Sequence, residues 1–200
     1  MTLFHQDIDA EFERLRAFEA TALLTDPAPP GFDLPCHRAR ARLDLPVAMV
    51  TVLDGDRLVM RACAGLRTRA MSRRHQFCNE AVRRDEGLVV PDAQEDARFA
   101  ENCFMARPPF LRFYTGVPLS YTRGVRHGAL CLRDHRPRES SPDDRVDLET
   151  MAAGVVSAAL ERQFERIAAR PIHRGGGRRQ ASRSSRPSAR SASSVSRALR

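Results

Sequence analysis

The sequence contains no lysine, so all 33 of its basic residues are arginines. No window approaches the roughly 18 consecutive apolar residues that a membrane-spanning helix requires. The first ten residues, MTLFHQDIDA, are acidic and lack the charged and then apolar layout of a secretion signal. These absences argue against a membrane-spanning or secreted chain, and we expect a cytoplasmic protein.

The five cysteines form no C-x-x-C pair and are odd in number. They stand at Cys36, Cys63, Cys78, Cys103 and Cys131. In a chain without a secretion signal, this pattern favours reduced thiols that are mostly small buried hydrophobes. The histidines near Cys78 and Cys131 give too few ligands, too widely spaced, to hold one ion. The sequence therefore predicts no metal site.

The formal net charge of +8 belongs to the end of the chain. Residues 171–200 hold eight arginines and no acidic residue, whereas residues 1–170 hold 25 basic and 25 acidic residues. This Arg/Ser-rich tail has almost nothing apolar to bury, so we predict that 171–200 is disordered. Such a tail would give at most weak, non-specific contact with nucleic acid, through neutralisation of phosphates.

Hydrophobic periodicity and turn residues predict a mixture of helices and strands in residues 1–170. In chain order, the predicted elements are helices at 7–24 and 32–44, strands at 46–54 and 57–64, a short helix at 77–85, strands at 88–92, 111–118 and 125–134, and a long helix at 142–169. Pro35 is tolerable in the second helix only if it falls in the first turn. The turn Asp54-Gly55-Asp56 joins the first two strands as an antiparallel hairpin.

The strand at 111–118, LRFYTGVP, has two different faces. Residues 111, 113, 115 and 117 alternate as a buried face should. The opposite face carries Arg112 and Tyr114, and then Gly116, where a side chain would normally help packing. A glycine at such a position would let a second backbone or a ligand approach closely. We therefore expect Phe113 and Tyr114 to point to opposite sides of the sheet.

The long helix has a strong start and two apolar stripes. Ser141, Pro142 and Asp144 supply an N-cap, a proline at the first position and an acid in the first turn. The stripes are formed by Leu148, Met151, Val155 and Ala158, and by Val156, Leu160 and Ile167. One stripe could pack on the domain while the other meets a partner helix, but burial within a single domain also accounts for them.

Four segments between 77 and 138 carry a family resemblance. They read FCNEAV, LVVPDAQEDARFAEN, PFLRFYTGVPL and GALCLRDHRPR. Together they resemble the GAF domains of bacterial signalling proteins, of the kind found upstream of diguanylate cyclase, histidine kinase or phosphatase modules. The resemblance covers about residues 10–168 and implies a single GAF domain within 1–170, in a two-component or cyclic di-GMP signalling context.

The resemblance implies an α+β, GAF/PAS-like fold. Its central antiparallel sheet of five or six strands would have the N- and C-terminal helices on one face and pocket loops on the other. In the family, the helical face commonly supports dimerisation, so a homodimer through the terminal helices is expected. The last helix, about 142–169, would act as a signalling helix. Because the sequence has no output domain, an output protein would have to be a partner in trans.

The capped face of a GAF domain encloses a small-molecule pocket or its remnant. The candidate pocket residues here are Phe77, Cys78, Asp92, Arg98, Asn102, Arg112 and Tyr114. Arginine and asparagine offer fixed donors to a carboxylate, a phosphate or a purine edge. The alternative is an internal salt-bridge network that pins the 92–110 loop, with Asp92, Asp96 or Asn102 as the partner of Arg112. Cys78 could sense redox state or could be a small buried side chain.

No catalytic residues are expected, and the sequence does not identify the ligand or any cofactor. No P-loop, Ser-His-Asp or GGDEF-type motif is present, and a chain without lysine cannot carry the N-K-x-x-F signature of cyclic-nucleotide GAF domains. We therefore predict a non-catalytic sensory or regulatory module. Two alternatives remain. The first is a reductase that uses Cys78 or Cys103 and resembles the free methionine sulfoxide reductases of this fold, although its cysteine spacing departs from theirs. The second is nucleic-acid association through the tail.

Overall fold

The computed structural model describes residues 11–16, 31–73, 77–100, 102–106, 110–122 and 125–169. Its helices are α1 (Asp33–Arg42), α2 (Phe77–Ala81), α3 (Cys103–Ala106) and α4 (Pro142–Ala168), and its strands are β1 (Val47–Asp54), β2 (Arg57–Ala64), β3 (Ala70–Ser72), β4 (Leu88–Val90), β5 (Phe113–Thr122) and β6 (Val125–Asp134). Residues 11–16 are also helical. The rest of the helix predicted at 7–24 and the tail at 171–200 lie outside the described residues.

The six strands form one antiparallel sheet in the order β3-β2-β1-β6-β5-β4. This confirms the predicted α+β fold with a central antiparallel sheet. The two central strands, β1 and β6, are buried along almost their whole length because both faces of the sheet are covered. No helix in the described ranges is both long enough and apolar enough to span a bilayer.

Helices α1 and α4 cover one face of the sheet, and their shared core is called here the helix-side core. Its sheet residues include Phe113, Val117 and Leu119 of β5. The residues that α4 buries completely or nearly so are Leu148, Ala152, Val155 and Ala159. The predicted stripe was therefore offset, since Met151 and Ala158 are only partly buried. The true spacing of four, three and four residues follows the 3.6-residue period of an α-helix.

The start of α4 is the one predicted from the sequence. The Ser141 hydroxyl accepts a hydrogen bond from the Asp144 amide at 3.1 Å, and the Asp144 carboxylate accepts one from the Ser141 amide at 2.8 Å. This reciprocal capping box satisfies two backbone donors, and Pro142 occupies a position that needs no donor. The cap therefore fixes where α4 begins.

The opposite face of the sheet carries a second core, called here the far-side core. Tyr114 belongs to it, so Phe113 and Tyr114 do point to opposite sides as predicted. The prediction that Leu111 shares a face with Phe113 is wrong, because Leu111 lies in the far-side core. The strand begins only at Phe113, and the positive φ of 52° at Phe110 turns the chain before it.

The structure differs from the prediction at several further points. Strand β3 lies between the predicted strand at 57–64 and the predicted helix at 77–85, where no element was expected, and it pairs with β2. Helix α2 ends at Ala81 rather than near 85, and α3 was not predicted. In the segment 11–16, Phe12 is 59% exposed, whereas Arg14 is buried and donates a hydrogen bond to the Leu53 carbonyl at 2.6 Å. The Arg14 hydrogen bond ties this turn to β1.

Candidate functional site

A buried group of side chains occupies the middle of the far-side core. It comprises Phe77 and Cys78 of α2, Tyr114 of β5, and Cys131 and Arg133 of β6, and is called here the aromatic–thiol cluster. The rings of Phe77 and Tyr114 stack with centroids 5.0 Å apart and planes 14° apart. Three of the predicted pocket residues thus come together, but their side chains are completely buried and pack against one another.

Three polar groups converge on the Cys78 sulfur, of which the Tyr114 hydroxyl and the Arg133 guanidinium donate hydrogen bonds to it. The Cys131 Sγ lies 3.6 Å away, the Tyr114 hydroxyl 3.5 Å away and the Arg133 Nη2 3.6 Å away. The hydrogen bond from Cys131 outweighs burial and, with the charge of Arg133, lowers the pKa of Cys78 to about 5. The same hydrogen bond, together with burial, raises the pKa of Cys131 well above its usual value. The geometry therefore favours a Cys78 thiolate that accepts hydrogen bonds from its neighbours.

Arg133 is the charged member of the cluster and was not among the predicted site residues. Its side chain is 3% exposed, and its guanidinium lies 5.8 Å from the ring centroids of both Phe77 and Tyr114. Aromatic faces attract a cation, so the two rings help to offset the cost of burying this charge. Strand alternation places Arg133 and Cys131 on one face, and that was the available sequence signal for both.

Gly116 makes room for a side chain of the cluster. A Cβ built at this position would lie 2.5 Å from the Tyr114 hydroxyl oxygen and 2.9 Å from the Cβ of Cys131. The space beside the Gly116 Cα is therefore filled by the phenol ring of Tyr114, while the backbone at Gly87 lies close to the Gly116 carbonyl. The glycine lets the ring lie flat along its own strand.

Asp92 and Arg112 form a separate, part-buried pair outside the aromatic–thiol cluster. The Arg112 Nε donates to Asp92 Oδ1 at 2.7 Å, and Nη2 donates to Oδ2. This two-point contact lowers the pKa of the Asp92 carboxyl. Of the three partners considered for Arg112, Asp92 is the one that binds it. The Arg112 side chain is 30% exposed, so it does not point into the interior as predicted.

Arg98 and Asn102 each make local contacts instead of joining either group. Arg98 pairs with Asp96, two residues before it, and its guanidinium lies 5.2 Å from the centroid of Phe99. The Asn102 side chain accepts a hydrogen bond from the Phe104 amide at 3.1 Å at the start of α3. The seven predicted pocket residues are therefore divided among the aromatic–thiol cluster, the Asp92–Arg112 pair and these two local contacts.

A chain of hydrogen bonds links the start of the loop that follows β4, called here the far-side loop (residues 91–93), to the segment that leads into α4. The Arg112 amide donates to the Asp134 carbonyl at 2.9 Å, and the Ala93 amide donates to the Arg112 carbonyl at 2.6 Å. The Arg138 amide donates to the Pro91 carbonyl at 3.1 Å, while its Nε donates to the Asp134 carboxylate at 2.7 Å. We call these five residues the loop–helix bridge. Asp134 is its centre, and its side chain is 1% exposed.

A charged cleft of about 500 Å³ lies beside this bridge. Its walls come from the end of α1 and from the segment after β6: His37, Arg40, Ala41, Asp44, Leu45, Pro46, Asp134, His135, Arg136 and Arg138. The volume is within the range of small-molecule sites. Three arginines and two histidines face two aspartates, and Asp134 is already engaged by Arg138. The cleft therefore suits a small ligand that carries negative charge.

Comparison with known proteins places this geometry in a family. The GAF domain family matches residues 32–160. A cyclic di-GMP phosphodiesterase of Pseudomonas aeruginosa is 34% identical over 150 residues, which are 75% of this chain and 26% of that protein. The chain thus spans about a quarter of the length of this relative.

Two solved structures show the same fold. The GAF domain of a phosphoenolpyruvate-protein phosphotransferase from Acinetobacter has a TM-score of 0.57 and 16% identity, covering 78% of this chain and 96% of its own. A free methionine-R-sulfoxide reductase from Neisseria meningitidis has a TM-score of 0.55 and 16% identity, covering 68% and 78%. At such identities the likeness shows the fold alone, so it does not favour the reductase alternative. With the family match and the sheet topology in agreement, the chain belongs to the GAF domain family.

Proposed function

We propose that this chain is a non-catalytic sensory module of cyclic di-GMP signalling. In this proposal a small molecule changes the loop–helix bridge, and α4 passes the change to a second copy of the chain or to an output protein in trans. Membership of the GAF family and the similarity to a cyclic di-GMP phosphodiesterase support the signalling context. The observation that carries the mechanism is the loop–helix bridge itself.

The bridge couples two regions that are far apart in sequence. Arg112 is anchored by Asp92 on the loop side and contacts Asp134 through its backbone amide. Asp134 in turn holds Arg138, three residues before the Ser141 cap of α4. Each such hydrogen bond contributes about 1 kcal/mol, so a loop movement that breaks two of them changes the stability of the α4 start appreciably. A ligand that binds the two arrangements with different affinity would shift their populations.

The charged cleft is the proposed entry point for the signal. It includes Asp134 and Arg138 of the bridge, so a bound anion would compete with Asp134 for the Arg138 guanidinium. Arg40 and Arg136 would supply further positive charge from the two walls of the cleft. This arrangement predicts a small anionic ligand, such as a carboxylate or a phosphate ester, at this site.

The last turns of α4 are the proposed contact with a partner. The buried residues of this 27-residue helix end at Ala159, and beyond them Phe164 is 69% exposed and Ile167 is 59% exposed. A helix that leaves large apolar side chains in solvent gains stability when a second apolar surface covers them. A homodimer through this part of α4 would cover Phe164 and Ile167 together, because a two-fold axis brings the same residues of the two copies into contact.

Native mass spectrometry of the full purified chain tests this function. We expect two copies of the chain, with an added mass from a co-purified small anion that disappears in Arg40→Ala. The double variant Phe164→Ser/Ile167→Ser should be monomeric. Val146→Ser is the matched control, because Val146 is a 59% exposed apolar residue at the other end of the same helix. A chain that is monomeric at all concentrations and carries no small molecule would contradict the proposal.

A further inference from the structure

The two thiols of the aromatic–thiol cluster are paired with each other. Cys78 and Cys131 are 53 residues apart in sequence, yet their sulfur atoms are 3.6 Å apart and both side chains are completely buried. We propose that Cys78 and Cys131 form a peroxide-responsive redox pair that closes to a disulfide. The proposal follows from the geometry of the cluster and does not depend on the function proposed above.

The positions of the two cysteines allow the bond to close. A disulfide requires an S–S distance of about 2.05 Å, so the sulfur atoms must approach by roughly 1.5 Å. Cys131 is fixed at the centre of the sheet, where it pairs with Gly116 on β5 and Met49 on β1. Cys78 sits on α2, a helix of only five residues, which is the element able to move.

The surroundings of Cys78 favour it as the attacking sulfur. Its thiolate is stabilised by the hydrogen bond from Cys131 and by the charge of Arg133, whose Nη2 is 3.6 Å away. Thiolates rather than thiols react with peroxides, so Cys78 is the nucleophile and Cys131 the resolving thiol.

The reaction consumes one molecule of hydrogen peroxide. The Cys78 thiolate attacks one peroxide oxygen, the O–O bond breaks, and sulfenic acid and hydroxide are formed. The Cys131 sulfur then attacks the Cys78 sulfur, the S–O bond breaks, and the hydroxyl group leaves as water with the Cys131 proton. The two sulfur atoms together lose two electrons, and the peroxide gains them. The hydroxide of the first step takes up a proton from solvent.

We predict that hydrogen peroxide oxidises the buried Cys78–Cys131 pair before the more accessible Cys63. Cys63 is the more accessible thiol, since it is only partly buried, and burial raises its pKa. A reagent that follows exposure alone would modify Cys63 before the buried pair. Hydrogen peroxide is close to water in size and can enter when α2 opens locally, so reactivity with it should follow thiolate character instead.

Peptide mapping after peroxide treatment of the full chain tests the proposal. Trypsin places Cys78 in HQFCNEAVR and Cys131 in HGALCLR, whereas Cys63 falls in ACAGLR. We expect the first two peptides to be recovered as one disulfide-linked species that is two hydrogens lighter than their sum, while ACAGLR stays reduced. Reduction should restore both peptides.

Variants identify the order of the two steps. Cys131→Ser should leave Cys78 as a sulfenic acid that dimedone captures, whereas Cys36→Ser, a buried control in the helix-side core, should still form the disulfide. Oxidation of Cys63 ahead of the pair, a Cys78 disulfide to Cys103, or a pair that stays reduced in the folded wild-type chain would each overturn the proposal. These three outcomes are read from the peptide map of the wild-type chain. They can therefore overturn the proposal even if a variant fails to fold.

Discussion

Substituting Gly116 by alanine tests how the far-side core is built. The added Cβ would lie 2.5 Å from the Tyr114 hydroxyl oxygen, 2.9 Å from its Cζ and 2.9 Å from the Cβ of Cys131. Ordinary carbon contacts are about 3.5–4.0 Å, so these atoms must separate by roughly 1 Å. Tyr114 cannot swing away easily, because its ring is completely buried and stacks on Phe77.

The expected cost follows from two opposing effects. Overpacking of this kind in a core costs about 1–3 kcal/mol. Replacing glycine by alanine returns about 0.5–1 kcal/mol where the backbone suits both residues, because the unfolded chain loses freedom. We therefore expect Gly116→Ala to lower the free energy of unfolding by roughly 0.5–2 kcal/mol. The same substitution at Gly154 should stabilise the protein, because a Cβ there has no atom within 4 Å.

A double-mutant cycle, measured by urea unfolding, shows how much of the cost comes from the Tyr114 ring. In a Tyr114→Leu background the ring is gone, so adding Gly116→Ala should cost clearly less than it does in the wild-type chain. The part of the cost that remains would come from Cys131. If Gly116→Ala were as favourable as Gly154→Ala, or if its cost were the same with and without the Tyr114 ring, the packing role assigned to Gly116 would be wrong.

Two further stability measurements follow from single side chains. Burial and the nearby charge of Arg14 lower the pKa of His127 to about 4. Between about pH 6.5 and pH 4, His127 is therefore protonated in the unfolded chain and neutral in the folded chain. The free energy of unfolding should therefore fall by up to about 3 kcal/mol as the pH drops through this window. The fall should be smaller in His127→Gln than in His37→Gln, a control at an exposed histidine. Equal pH profiles for the two variants would contradict this assignment. Ser141→Ala should cost about 1 kcal/mol by removing half of the capping box, whereas Ser157→Ala, an exposed mid-helix position, should cost nothing; equal effects would show that the cap does not fix the start of α4.

Elements with strong local signals were predictable from the sequence. The continuous apolar run of β1 and the cap of α4 gave bounds within one residue of those observed, Val47–Asp54 and Pro142–Ala168. Strand β3 was missed because Ala70–Ser72 is a three-residue strand at the edge of the described sheet, where it pairs with β2. Its sequence is too short to display a period of two. Leu111 was misplaced because the left-handed residue Phe110 interrupts the alternation just before it.

The candidate site was predictable only in part, since its centre depends on how helix α2 packs against the sheet. Asp92 was one of three partners considered for Arg112, although the two residues are 20 positions apart in sequence. The register that sets Tyr114 opposite Arg133 and Gly116 opposite Cys131 joins two consecutive strands, and counting back from Thr122 opposite Val125 gives these pairs. The thiol pair, in contrast, depends on how α2 packs against β6, which no local pattern indicates, although both cysteines were expected to be buried.

The coupling between the far-side loop and α4 is tested most directly by hydrogen exchange of the backbone amides at 142–148. Arg112→Ala removes the side-chain anchor to Asp92 and keeps the backbone hydrogen bond to Asp134, while Arg98→Ala removes a similar arginine–aspartate pair in which the guanidinium donates to Asp96. Loss of about 1 kcal/mol of local stability corresponds to roughly fivefold faster exchange. We expect that acceleration at the start of α4 in Arg112→Ala and wild-type exchange in Arg98→Ala. Unchanged exchange at 142–148 in Arg112→Ala, or the same acceleration in both variants, would contradict a signal route from the loop to the helix.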